Sequence, residues 1–330
     1  MTMTRNTFLK GALSGVVLAA MPRVAFGAGG ALHFKMGFTD PENSNYVQGG
    51  KKIAEEVAKL TDNRVLIDVY GSSQLGNERD MYEGAQIGSI DVPTVVNTVL
   101  SSFIPEMTVL DQPFIFDTVD QAHAAIDGKL GKLIADKARV QGVHIVGWLE
   151  SGFRNVFSNR PITKVDEFAN FKIRTMENRM QIAAFNALGA TATPMAYGEL
   201  FTALQQRTVD GCENAVGNML ASRFYEVLKH VTYTNHQYTY IAVGFSDNAW
   251  SQIPKDLQPK VLEGVSRGVA FQRQLLLDYN ADSVGKLKGL GVSFHDIDRE
   301  AVKAKVVPAL AQFRKSMPKP WLDALAEYTA

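Results

Sequence analysis

The chain of 330 residues has one cysteine, Cys212, which excludes an intramolecular disulfide and a thiolate metal cluster. It has no excess of either charge: 34 Lys and Arg stand against 34 Asp and Glu. That balance gives no support to binding nucleic acid or a membrane surface. The one GxSxG string, GVSRG at 264–268, lies inside a helical stretch and not at a strand-to-helix elbow, and a GxGxxG after a strand, HExxH and the phosphate loop are missing. The six histidines (His33, His123, His144, His230, His236 and His295) are scattered, and none has a ligand-like partner at helical spacing. Cys212 beside Glu213 and Asn214, with His236, allows a Cys-His-Asn reading, but no nucleophile motif accompanies it, and a small buried residue accounts for it as well. No metal site and no cofactor site is expected. The absence of a nucleophile, base, metal or phosphate cradle favours binding over turnover, with an exported enzyme acting on an organic acid as the alternative.

Long apolar runs are also scarce. One lies at the N-terminus, from Gly11 to Met21, behind Arg5 and Lys10 and ahead of the small residues Ala25 and Gly27. A run of about a dozen residues is too short to span a bilayer. Residues 1–27 read as a signal peptide cleaved after Gly27, which implies an exported, periplasmic chain. Asn6 stands where a twin-arginine signal needs its second arginine. Loss of Arg5, Lys10 and Arg23 leaves 31 basic against 34 acidic side chains. Without disulfides, such a chain depends on an apolar core. At 46% hydrophobic and about three hundred mature residues, it can build one or two of ordinary size.

The periodicity predicts an α/β fold. Strands are expected at Leu32–Phe38, Val65–Tyr70 and Asp91–Val96, with helices at Asn45–Leu60 and Glu78–Ile87 between them. That order argues for a largely parallel sheet. A helix over Ala122–Gln141 and a short strand over Val143–Trp148 precede a second α/β series, with strands at Phe171–Thr175 and Ala192–Met195 and a turn and short strand at VDGCEN. A strand over Tyr238–Phe245 follows. Pro254 opens a helical stretch to about Leu290, where Gly264, Gly268 and Gly285 are expected to curve or kink it. No low-complexity linker and no tandem repeat is present. Two lobes without a spacer imply several strand crossings and a cleft between them.

Two arginines stand out. Arg174 lies in FKIRTM, flanked by apolar residues as in a buried strand, and Arg154 lies in GFRNVFSNRPI. A guanidinium in a core strand is costly unless an anion pairs with it. Two that converge would suit bidentate recognition of a carboxylate or phosphate. Internal salt bridges to acidic side chains are the competing account.

The run FKIRTMENRMQIAAFNALGATATPMAYGELFTALQQRTVDGCEN, residues 171–214, resembles the signature region of DctP-type solute-binding proteins of tripartite ATP-independent periplasmic (TRAP) transporters. SSQLGNERDM, LDQPFIF and GFRNVFSNRPI upstream, and FYEVLKHVTYTNH and IPKDLQPKV downstream, fit in the same order. The resemblance implies a two-lobed clamshell with a strand hinge and a long helix across both lobes. On that basis lobe I is 31–151 with 240–279, and lobe II is 152–239 with 280–330. It implies an organic-acid ligand and TRAP membrane subunits as partners of a monomeric receptor. It assigns the carboxylate to Arg174, with Arg154 as second arginine and Asn214 as amide donor, and Tyr197 as an aromatic beside the ligand. Glu78 and Glu150 are candidate acceptors for hydroxyls, with a helix N-terminal charge and a surface residue as the plain alternatives. Asn97, Met176, Asn178, Phe38 and Tyr238 are further candidate pocket residues. Two carboxylates would repel a second acid group, so a monocarboxylate sugar acid (uronate, aldonate or keto-sugar acid) is expected, with a C4-dicarboxylate or keto acid as the alternative. The chain departs from the pattern at Cys212, where glutamine or alanine is common, at Ala215, where proline is frequent, and at Val96, where sialic-acid binders carry glutamate.

Overall fold

The computed structural model describes residues 30–329; the expected signal peptide lies outside them. The strands are β1 (Leu32–Gly37), β2 (Val65–Tyr70), β3 (Val92–Val96), β4 (Val143–Ser158), β5 (Lys172–Thr175), β6 (Thr191–Pro194), β7 (Gly211–Asn214), β8 (His230–Ser246) and β9 (Ser293–Asp296). They form one sheet in the order β2-β1-β3-β8-β4-β7-β5-β6, with β9 on β8. Helices α1 (Asn45–Leu60) and α2 (Glu78–Gln86) connect the first three strands, giving the expected β-α-β-α-β start. β1 pairs in parallel with β2 and β3, and β5 pairs in parallel with β6 and β7. Each parallel set thus forms one lobe's sheet.

Two long antiparallel strands join the lobes. β4 and β8 run 16 and 17 residues, nearly three times and about twice the expected lengths. The first half of β4 pairs with the last half of β8, up to Glu150 with Tyr240. The register then shifts and resumes at Gly152 with Thr239. Gly152 has φ +86°, a left-handed backbone that a side chain would strain. A bulge bends and twists a strand, and this one lies where β4 passes between lobes. The missed halves, ESGFRNVFS and HVTYTNHQ, carry polar residues that are buried: Glu150, Ser151, Arg154, Asn155, Thr232, Thr234, His236 and Gln237.

The helix Gln258–Gly289 is continuous over 32 residues. Its first half joins the apolar cluster of β1, α1 and Val92 through Val261, Val265 and Val269, and its end joins the cluster of β7 and Val231 through Leu287. Between them Gln272 accepts from the Glu150 amide at 3.0 Å and donates to the Glu150 carbonyl at 2.8 Å and to Asn45 Oδ1 at 2.6 Å. The helix is thereby pinned to the hinge. Its glycines do not interrupt it as expected. A Cβ at Gly264 would lie 2.8 Å from the Val57 nitrogen, and one at Gly268 would lie 2.7 Å from the Ile53 Cα, so these glycines allow close approach to α1.

Two other expectations are revised. The helix expected at 122–141 is two, Val119–Asp127 and Lys129–Val140, parted at Gly128. The C-terminal segment does not stay with the second lobe. Its last helix, Lys319–Thr329, buries Trp321 and Leu325 in one cluster with Ile126, Leu130 and Ile134, and Tyr328 Oη accepts from the Lys129 amide at 3.0 Å.

Gly268→Ala should therefore destabilise by about 1–3 kcal/mol, because the clash with α1 backbone outweighs the gain in helix propensity. Gly285, with nothing within 4 Å of an added Cβ, should give neutral to about 1 kcal/mol stabilisation as alanine. Urea unfolding of the two variants checks the opposite signs; equal effects would refute the packing account.

Candidate ligand-binding site

Between the lobes lies a hollow walled by Thr39, Asp40 and Tyr46 after β1, Glu78 at the start of α2, and Val96 at the end of β3. The hinge strands supply Ser151, Arg154 and Ile241, and the second lobe supplies Arg174, Met176, Tyr197, Asn214 and Asn218. Most of these residues sit at or just past the carboxyl ends of strands, where ligands bind in open α/β sheets. The space left inside is about 30 Å³, room for roughly two waters, so the walls have closed on one another. A larger hollow of about 210 Å³ continues outward past Glu78, Arg174 and Tyr197. There Arg79 Nε, on α2, lies 3.2 Å from Glu177 Oε2, which bridges the mouth.

Arg174 is 2% exposed. Its Nε and Nη2 donate to the Met195 carbonyl at 2.9 and 2.7 Å. Nη1 is buried with no partner among the described residues. The guanidinium stands 5.9 Å from the Tyr197 ring centre, within cation–π range. Burial pulls its pKa below the ordinary value, opposed mainly by Glu213, yet an arginine stays charged at any physiological pH.

Arg154 is in a different state. Its Nε and Nη2 face the Glu213 carboxylate, Nη2 also donates to the Glu213 carbonyl at 2.6 Å, and Nη1 donates to Asn214 Oδ1 at 3.0 Å and to Thr239 Oγ1 at 3.4 Å. All five N–H groups are engaged. The competing salt-bridge account therefore holds for Arg154, while Arg174 has no acidic partner among the described residues. Burial would raise the Glu213 carboxyl, but Arg154 and His236 overcome it and hold it at about 2. His236 reaches Glu213 at 3.3 Å and Thr234 at 2.8 Å.

Asn214 ends β7. Its Oδ1 accepts from Arg154 Nη1, from the Ala215 amide at 2.8 Å and from Asn218 Nδ2 at 3.0 Å. Three donors fix the oxygen end and leave Nδ2 as the end free for a ligand. Tyr46 Oη lies 2.8 Å from Ser151 Oγ, and Tyr197 Oη 2.7 Å from Ser222 Oγ.

Two carboxyls share the hollow. Burial raises Asp40 to about 7, helped by Glu78 and opposed by Arg154. Burial also raises Glu78 to about 7, opposed by the Val96 amide donating to Oε1 at 2.8 Å and by Arg174.

Arg174, Arg154, Asn214, Glu78, Tyr197 and Met176 thus come together, while five expected residues do not. Glu150 is fully buried but points away from the hollow, toward His123, Tyr238 and Arg273. It lines a separate hollow with His123, Tyr238 and Arg273, because the bulge after it reverses which side of β4 faces the cleft. Tyr238 is its partner. Asn97 is spent on Asp111 at 2.9 Å and the Tyr240 amide at 2.9 Å. Asn178 caps the helix Arg179–Ala187 and donates to Asp111 at 2.7 Å. Phe38 is buried in the cluster under α1. Asp40, Tyr46, Ser151 and Asn218 were not foreseen. Asp40 has a sequence signal, since it follows the first strand of a β-α-β start, and Asn218 lies in the first turn of the helix that follows Asn214. Tyr46 and Ser151 have none. Cys212 is fully buried, with burial pushing its thiol up to about 12.

The chain matches the bacterial extracellular solute-binding protein family 7 (DctP) over residues 36–316. A TRAP periplasmic solute-binding protein of Polaromonas sp. JS666, solved with D-erythronate bound, is 33% identical with a TM-score of 0.86, covering 91% of this chain and 98% of that one. The sugar acid binding protein of Advenella mimigardefordensis, solved with galactonate, is 31% identical with a TM-score of 0.86, covering 90% and 99%. The C4-dicarboxylate-binding periplasmic protein of Rhodobacter capsulatus is 29% identical over 258 residues, 77% of each chain. The likeness spans both sheet halves and the cleft between them, and the chain is a member of the bacterial extracellular solute-binding protein family 7.

Proposed function

We propose that this chain is the extracytoplasmic receptor of a TRAP transporter and that it binds a monocarboxylate sugar acid without altering it. One observation carries the reading: a buried arginine with an unpartnered N–H, beside a fixed amide donor, in a hollow that also holds two protonatable carboxyls. Arg174 Nη1 and Asn214 Nδ2 offer donors to a carboxylate. A charge-assisted hydrogen bond contributes about 1.5–3 kcal/mol net, a sizeable part of the roughly 8 kcal/mol of micromolar affinity. Asp40 and Glu78 accept from hydroxyls. Arg154 is already neutralised by Glu213, so a single unpaired guanidinium serves the hollow, which suits one carboxylate rather than two. The D-erythronate and galactonate found in similar proteins fit this pattern.

The lobes, divided near Ser151 and Tyr240, open about β4 and β8 to admit the ligand. The ligand favours the closed form by touching both sides, Asp40 and Glu78 on one and Arg174 and Asn214 on the other. The membrane subunits then take the closed form. Residues 1–27 direct export and are removed.

Arg174→Ala should cost about 3–5 kcal/mol of binding, because it leaves a desolvated carboxylate without its counter-charge. Arg174→Lys should recover little, since the ammonium lacks the planar fork. Calorimetry with a sugar acid checks both; near wild-type affinity in Arg174→Ala overturns the assignment. Recovery of the ligand chemically unchanged after incubation separates a receptor from an enzyme.

The carboxyls predict a pH effect in the ligand-free protein. Both sit at about 7 when folded, against ordinary values of 3.8 and 4.5. Between about pH 4 and 7 the folded state keeps protons that the unfolded chain has lost, so stability falls as pH rises through that window. The double variant Asp40→Asn, Glu78→Gln should flatten that slope in urea titrations. An equally steep profile would place these carboxyls outside the cleft's electrostatics.

A further inference from the structure

We propose that Asn218 sets specificity by accepting a hydrogen bond from one hydroxyl of the bound acid. This rests on the sugar-acid reading above. The argument is a chain of forced orientations. Arg154 has only N–H groups to offer, and its Nη1 donates to the Asn214 side chain at 3.0 Å, so the atom it meets must be the amide oxygen. The Ala215 N–H at 2.8 Å requires the same. With Asn214 Oδ1 fixed as an acceptor, the Asn218 atom 3.0 Å away must be the Nδ2 donor. The other end of that amide, Oδ1, therefore cannot be exchanged with it.

That oxygen has no partner. Asn218 is 3% exposed, lines the hollow, and its Oδ1 is buried without a hydrogen bond among the described residues. The Tyr46 hydroxyl stands near Asn218 and is bonded to Ser151 Oγ at 2.8 Å, but it makes no hydrogen bond to Asn218 Oδ1. A buried carbonyl left unsatisfied is costly. A ligand hydroxyl is the donor that satisfies it, whereas a second carboxylate in its place would meet oxygen with oxygen. The hollow then presents two adjacent amides of opposite sense: Asn214 gives N–H to an acid oxygen, and Asn218 takes O–H from a neighbouring alcohol. A hydroxy acid has both groups, and a plain fatty or dicarboxylic acid lacks the second.

The test is a cycle between protein and ligand. Erythronate, gluconate and galactonate are titrated against the wild type, and the tightest binder is compared with its monodeoxy forms on wild type and on Asn218→Ala. The expected result is that one deoxy form binds wild type about tenfold more weakly and loses nothing further on Asn218→Ala, while the other forms lose a further factor of about ten. That coupling marks the hydroxyl that Asn218 reads. The wild-type comparison stands even if the variant is poorly folded, because an acid losing no single hydroxyl at a cost would already count against the proposal. If Asn218→Ala weakens every form by the same factor, Asn218 is a structural residue and the sugar-acid reading survives alone. If the wild type binds hydroxyl-free acids as tightly as hydroxy acids, both readings fall together.

Discussion

The ion pair of Arg154 with Glu213 is the interaction on which the site depends. Both side chains are buried, at 3% and 0% exposure, and desolvating two charges costs about as much as their attraction returns. Stability is therefore a weak reason for the pair to exist. What it supplies is direction. Glu213 takes Nε and Nη2, which turns Nη1 toward Asn214 and decides which end of that amide faces the hollow. Glu213 is held at about 2, so the pair stays ionised across any pH at which the protein works. By neutralising one arginine it also leaves Arg174 as the guanidinium in the hollow without an acidic partner among the described residues.

The hinge sits beside this network. β4 carries Glu150, the bulge and Arg154 within five residues. Gln272 ties the long helix to both backbone polar groups of Glu150. Bending the sheet at Gly152 therefore pivots about a point where helix and strand are fastened, and the arginine that orders the site lies two residues beyond. The long helix stays continuous because its inward glycines are sites of contact with α1, and a kink there would break that contact.

The apolar half of the fold was legible in the sequence. α1 and β2 fall where periodicity places them, since each buries one regular face against a core. The second half of β4 and the first half of β8 were not legible, because their buried residues are polar and belong to the cleft and to the Glu213–His236 network. A pattern rule equates burial with apolarity and fails where a strand's inner face is the binding site. The arginines show the same limit. Sequence marks both Arg154 and Arg174 as costly, but only the fold shows that Glu213, next to Asn214 in the chain, occupies one of them. Glu150 was misplaced for a local reason: a single bulge exchanges the faces of the strand, and Gly152 is its one sign in the sequence.

The departures from the family pattern can be weighed by what each touches. Cys212 is fully buried on the strand beside Arg174 and presents no atom to the hollow, so it changes packing behind the grip. Val96 gives its backbone N–H to Glu78, a role any residue but proline performs, while its apolar side chain removes an acid from the wall. Ala215 is the consequential one. Its N–H is one of the three donors on Asn214 Oδ1, and a proline there would have no N–H to give. Asn214 would then rely on Arg154 and Asn218 alone, and Asn218 is itself oriented by Asn214. The alanine adds a main-chain donor to the one that Arg154 supplies, so the sense of the amide is set twice. In the proposed clamp, a polarity set from the main chain keeps its sense while the ligand comes and goes.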